Sequence, residues 1–254
     1  MKGAWLEDLT WPQAAARMAD GAVVVIPIGA RSKEHGHHLP LKTDYLVARA
    51  LGDRLIEALP VLVAPVIDFG YYPAFLRYPG SQHLRAETFM AVLQDVLDGF
   101  LDQGASRLAI VNTGVSTVPP IRIVVRDLYT RRGVRVPVAD IERLGLAVRR
   151  RLRRQELGGH ADQFETSTVL AIEPKAVDMT RAEPDYGNAL TEPQTVFYVP
   201  TEFRADPASG PDYSKTGVRG DPTQANAAEG EELLNEMARE IAEGLTALFG
   251  MRGG

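Results

Sequence analysis

The chain has no cysteine in 254 residues. This excludes disulfides, thiolate metal sites and a cysteine nucleophile, and it leads us to expect a cytoplasmic protein. Long hydrophobic runs are also missing. None approaches the ~20 apolar residues of a membrane-spanning helix, and Met1 to Trp11 carries Glu7 and Asp8 where a secretory signal would have its apolar core. No membrane partner is expected. There is no excess of positive charge either: the formal net charge is −5, which argues against a nucleic-acid partner. One local exception is the run Arg149, Arg150, Arg151, Arg153, Arg154. No aromatic residue interleaves with it, so it reads as the solvated face of a helix and not as a phosphate site.

Hydrophobic residues make up 45% of the chain, ordinary for a globular protein. Short β-rich runs alternate with stretches of helical period. Ala22 to Ile28, Val61 to Ile67, Leu108 to Val111 and Val134 to Val138 read as strands. Helices are expected from Tyr45 to Leu59, Glu87 to Gln103, Pro119 to Arg131 and Ala227 to Leu248. Met179 to Gly220 is rich in Pro, Asp and Tyr and reads as a long surface excursion with one strand at Thr195 to Val199. Strand–helix alternation implies right-handed βαβ units. The expected fold is α/β: one domain over 1–254, a three-layer sandwich with a mostly parallel central sheet.

Ligands of such sheets bind beyond the carboxyl ends of the strands. The loop after the first strand places His35, His37 and His38 beside Glu34, Asp44 and Lys33. Imidazole with carboxylate is a ligand set for Zn²⁺ or Mn²⁺. After the second strand, Tyr71, Tyr72 and His83 are candidates to line a pocket. After the third, Thr113 and Ser116 stand at a helix start, where backbone N–H groups either hold an anion or are simply capped. His160 follows Gly158 and Gly159 just before a helix.

Together these pieces resemble the creatininase family along nearly the whole chain. The matching segments are Leu9-Thr10-Trp11, Pro27-Ile28-Gly29, His35-Gly36-His37-His38-Leu39-Pro40 with Thr43-Asp44, and Pro79-Gly80-Ser81. His160-Ala161 with Glu165-Thr166-Ser167 follows, then Gly217-Val218, Gly220-Asp221-Pro222, Ala225 and Gly230. The resemblance implies a homo-oligomeric (hexameric), metal-dependent amidohydrolase acting on a small molecule, with no organic cofactor. It implies two metal ions sharing a bridging aspartate, here Asp44. One ion also takes a loop histidine, here His35, and the other a loop glutamate. A later histidine, here His160, shuttles protons.

Two departures shape the expected site. The family's Asn-Gly-His-x-Glu-Asn motif stands here as Asn112-Thr113-Gly114-Val115-Ser116-Thr117, so two ligand positions hold Gly114 and Ser116. The first loop has one extra residue, and Lys33 falls on the ligand glutamate's place. In extended chain, Lys33 and His35 aim one way and Glu34 the other; a bulge would return Glu34 to the metal. We therefore expect fewer than two ions per chain. Candidate metal ligands are His35, Asp44 and Glu34; catalytic residues, His160 and Lys33; substrate-binding residues, Ser116, Thr113, His83 and Tyr72. Two other readings stay open: a metal-free binding or regulatory homologue, and an enzyme rebuilt around a Lys33 of lowered pKa.

Overall fold

Two five-residue strands, β2 (Val24–Ile28) and β4 (Leu108–Asn112), pair in parallel at the centre and are buried at every position. Both faces are apolar, as a strand covered by helices on both sides requires. The computed structural model describes residues 2–190, 193 and 195–251. β1 (Ala4–Trp5), β3 (Leu62–Val63) and β5 (Val138–Asp140) complete one sheet of order β1-β3-β2-β4-β5, parallel throughout.

The alternation of side chains across the sheet divides the core. Val25, Val63 and Val111 pack with α2 (Thr43–Ala58), α5 (Leu146–Leu152), α6 (Gln163–Ile172) and α7 (Ala227–Phe249). Val24, Ile26, Ile28 and Ile110 face α1 (Trp11–Ala19), α3 (Ala86–Asp102) and α4 (Val118–Arg132). This is the expected three-layer sandwich. β2 runs into α2 on one face and β4 into α4 on the other, so the two chains diverge above the sheet and open a crevice.

Several elements differ from expectation. The strand placed at Val134 to Val138 begins later, because the Pro137 carbonyl is the first group there to accept from β4, from Ile110 N at 2.9 Å. Val61 to Ile67 shortens to two paired residues, with Pro65 interrupting and a lone bridge from Ile67 to Ile28. Thr195 to Val199 forms no strand: Val196 and Tyr198 are 96% and 89% exposed, and no described strand edge lies beside them. β1 and α1 have no counterpart in the periodicity reading. α1 is started by a Thr10–Gln13 capping box.

Candidate active site at the crevice between β2 and β4

Lys33, Glu34, His35 and Asp44 all leave the carboxyl end of β2, and all four are at most 5% exposed. Gly29 makes this possible. A Cβ there would lie 2.5 Å from the Asp44 carbonyl and 2.7 Å from Thr113 Oγ1, so only glycine lets the start of α2 press against the sheet. Asp44, in the first turn of α2, is gripped from two sides: Lys33 Nζ at 2.8 Å from Oδ2 and His35 Nε2 at 3.0 Å from Oδ1. His35 Nδ1 lies 3.0 Å from the Lys33 carbonyl. A carbonyl and a carboxylate only accept, so the ring must either carry both protons or share a cation with Asp44. A metal-ligating histidine whose other nitrogen donates to a backbone carbonyl has this arrangement.

Glu34 points away from Asp44, as the alternation requires, yet it stays inside the site. Its Oε2 lies 3.1 Å, and its carbonyl 2.8 Å, from His160 Nε2. His160 Nε2 therefore donates to Glu34, and Nδ1 faces Glu165 Oε2 at 3.8 Å. His160 is 4% exposed, 4.7 Å from the His35 ring and 4.1 Å from that of Phe75. The next residue, Ala161, adopts φ +48°, a strained value for a residue with a Cβ. Its N–H donates to Glu165 Oε2 at 2.6 Å.

Glu165, in the first turn of α6, is the residue the periodicity reading passed over. Asp162 caps α6 by accepting from Phe164 N and Glu165 N, and an acid three residues after a cap reads as part of the cap. The informative signal was its place five residues after His160, which returns it to the imidazole. His35, His160 and Glu165 bring one ligand atom each within 4.8 Å of one another, a set able to hold a metal ion.

The electrostatics fit a cation. Burial raises the pKa of Asp44, but Lys33 and His35 outweigh it and hold the carboxyl far below its usual range. Burial lowers Lys33, but Asp44, Glu165 and Glu34 outweigh it and the net shift is upward. Lys33 is thus an ammonium, which corrects the expectation of a lowered, nucleophilic amine. Glu34 is likewise lowered: burial opposes, and His160 prevails. Glu165 is the exception. Burial pushes it up, and His160 and Lys33 only partly offset this. Among these three carboxylates, the one whose pKa burial shifts upward is the one in the metal-capable set.

A second ion on Asp44 fits poorly. A Cβ at Gly114 would lie 3.8 Å from Asp44 Oδ2, so a side chain there would reach it, but glycine offers no ligand. The Lys33 ammonium stands on that oxygen instead. Ser116 is half-buried at the crevice. Thr113 Oγ1 bonds to the Ile28 and Asp44 carbonyls at 3.0 and 2.9 Å, and Tyr72, 2% exposed, donates to the Ser32 and Gln82 carbonyls. Both hydroxyls serve the scaffold. His83 lies 6.0 Å from the Tyr71 and Tyr72 rings, with Nδ1 buried and unpartnered.

The chain matches the creatininase (creatinine amidohydrolase) family over residues 7–245. It is 28% identical over 266 aligned positions to the creatinine amidohydrolase of Pseudomonas putida, with 98% of each chain covered. To the mycofactocin precursor peptide peptidase of Mycobacterium ulcerans (strain Agy99) it is 30% identical over 245 positions, covering 90% of this chain and 82% of that one. A solved structure described as "Creatininase Mn" superposes with a TM-score of 0.80 at 27% identity, covering 98% of this chain and 99% of that one.

Proposed function

The chain belongs to the creatininase family, and we propose that it cleaves its amide substrate with a single metal ion, a fixed lysine ammonium taking the second ion's place. It is a creatininase-family hydrolase acting on C–N amide bonds. No finding favours the metal-free binding reading. The observation that carries the one-ion proposal is the division of Asp44, with Oδ1 beside His35 and Oδ2 beside Lys33.

In this reading His35 and Glu165 hold the ion and Asp44 anchors His35 beside it; when bound, the ion would polarise a carbonyl and supply hydroxide near neutral pH. His160 carries the proton. Nε2–H is fixed on Glu34, which leaves Nδ1 open on the Glu165 side as the accepting nitrogen. Glu34 then stabilises the imidazolium and keeps the ring oriented until the proton passes to the leaving amine. Lys33, anchored to Asp44 and 5.0 Å from the Phe75 ring, has further N–H donors for negative charge developing on the carbonyl oxygen. Glu34 thus orients His160 and is not a ligand.

The remaining assignments follow the resemblance: one domain over 1–254, Zn²⁺ or Mn²⁺ as the ion, and a cytoplasmic homo-oligomer, a hexamer. Among the described residues, no helix is long and apolar enough to cross a membrane. The exposed Val196, Phe197 and Tyr198 favour an intersubunit arm. Ser116 and His83 remain candidates to touch substrate. The test is elemental analysis of protein loaded with Zn²⁺ or Mn²⁺, alongside amide hydrolysis. One ion per chain is expected, lost in His35→Ala and Glu165→Gln. His160→Gln should retain the ion and lose turnover. Loss of the ion in His160→Gln would overturn its role as proton carrier.

A further inference from the structure

The arginine run does not form one solvated face. Leu146, Arg149, Arg150 and Arg153 recur at i, i+3, i+4 and i+7, so they share one side of α5 and its end. All four line a cleft of about 640 Å³. The other two arginines turn away, Arg151 pairing with Glu232 and Arg154 with Glu229 at 2.7 Å. Among the described residues, Arg149, Arg150 and Arg153 form no salt bridge, and Asp162 and Glu165 act on Arg149 only through space.

The acids on the same wall are mostly committed. Asp162 accepts from two backbone N–H groups of α6 and from Gln155 Nε2 at 2.7 Å, and Glu165 accepts from Ala161 N. Exposed Glu142 remains as a partial counterweight to the three guanidinium groups. The cleft leads to the reacting centre. Arg149 and Glu165 also line the small cavity, about 20 Å³, beside Asp44 and Thr113. Arg149 is half-buried, its Nε donating to the Leu144 carbonyl at 3.2 Å and its guanidinium 5.5 Å from the Phe164 ring. Burial lowers the Arg149 pKa, and the nearby Asp162 and Glu165 only partly oppose this, so a bound anion would offset the remaining cost.

We propose that this cleft selects amides that carry a carboxylate away from the scissile bond, received by Arg149, Arg150 and Arg153 while the amide lies over His35 and Glu165. Guanidinium forks match a planar carboxylate, and Glu142 on the same wall favours a singly charged group over a dianion. The proposal rests on the hydrolase reading for the position of the amide, but its test is a binding measurement.

The probes are hippurate, a benzamide bearing a carboxylate, and hippuramide, its neutral carboxamide. They are titrated calorimetrically into the metal-loaded wild type and into Arg150→Gln/Arg153→Gln, whose two side chains are exposed and outside the core. The wild type should bind hippurate at least about tenfold more tightly, as charge-assisted bonds imply. That preference should fall below about threefold in the double variant and in 0.5 M NaCl, with the melting temperature unchanged. Equal affinities in the wild type, no binding of hippurate at millimolar concentration, or an undiminished preference in the double variant would each overturn the proposal. Hydrolysis is followed on the same pair. Selective binding of hippurate with no cleavage of either would count against the hydrolase reading alone.

Discussion

Lys33 Nζ sits 2.8 Å from Asp44 Oδ2, and both side chains are buried to 6% exposure or less. The ammonium therefore occupies the carboxylate oxygen that, in the family pattern, the second metal would claim. Removing one partner of a buried pair leaves the other charge uncompensated, typically costing about 3–5 kcal/mol. Lys33→Met should lower the melting temperature by several degrees, and added Zn²⁺ should recover more of that loss than it adds to the wild type. Differential scanning calorimetry with and without Zn²⁺ checks this. An unchanged melting temperature would show that the pair has no structural weight.

Glu165→Gln separates cation binding from folding. The amide keeps the Ala161 N–H bond but loses the charge whose pKa burial holds up. Zn²⁺ affinity should fall at least about tenfold, on the scale of lost metal-site partners, while urea denaturation of the metal-free protein moves little. Undiminished Zn²⁺ affinity would remove Glu165 from the ligand set.

His38 sets a pH dependence. Its Nε2 meets Thr166 Oγ1 at 2.8 Å and its Nδ1 is buried without a partner. Burial and the neighbouring His35 push its pKa from 6.5 down to about 4. The folded value is depressed, so this contribution is complete above pH 6.5 and is lost as pH falls toward 4. Stability of the metal-free protein should decline over that window by at most about 1.4 kcal/mol per pH unit from this group. Urea denaturation from pH 4.5 to 7.5 should show a shallower slope in His38→Gln; identical slopes would place the acid sensitivity elsewhere.

Gly217 supports the proton carrier from outside. It has φ +84°, and an added Cβ would lie 2.1 Å from Glu34 Oε1. Gly217→Ala should cost more than about 1 kcal/mol from the backbone alone, and it should displace Glu34 from His160. The expected result is a lower kcat in protein that still binds one ion. Unchanged kcat would mean that Glu34 does not orient His160.

How far the sequence was legible depended on the range of each signal. Buried central strands and amphipathic helices are local patterns, so β2, β4, α2, α3 and α7 could be placed to within a residue or two. The two-residue β1 carries no readable period, the strand read at Val61 to Ile67 keeps only two paired residues, and Val196 to Val199 has strand composition but no described strand edge beside it. The alternation in the loop after β2 correctly set Lys33 beside His35 on Asp44. It could not show that Glu34 turns to His160, 126 residues away. The arginine run misled for a related reason: residue type gave no hint that Arg149 rotates inward while Arg151 finds Glu232 on α7.

The spacing of the site's partners also bears on the order in which it assembles. Lys33, His35 and Asp44 lie within 11 residues of one another, so closing that loop costs little entropy and can accompany formation of α2. Glu34 and His160 meet only after the 126 residues that separate them, β4 among them, have been laid down, a contact of high contact order that forms slowly. The pair on Asp44 therefore exists before His160 and Glu165, which arrive together with the segment that opens α6. During refolding, the capacity to take up an ion should appear together with the first turnover.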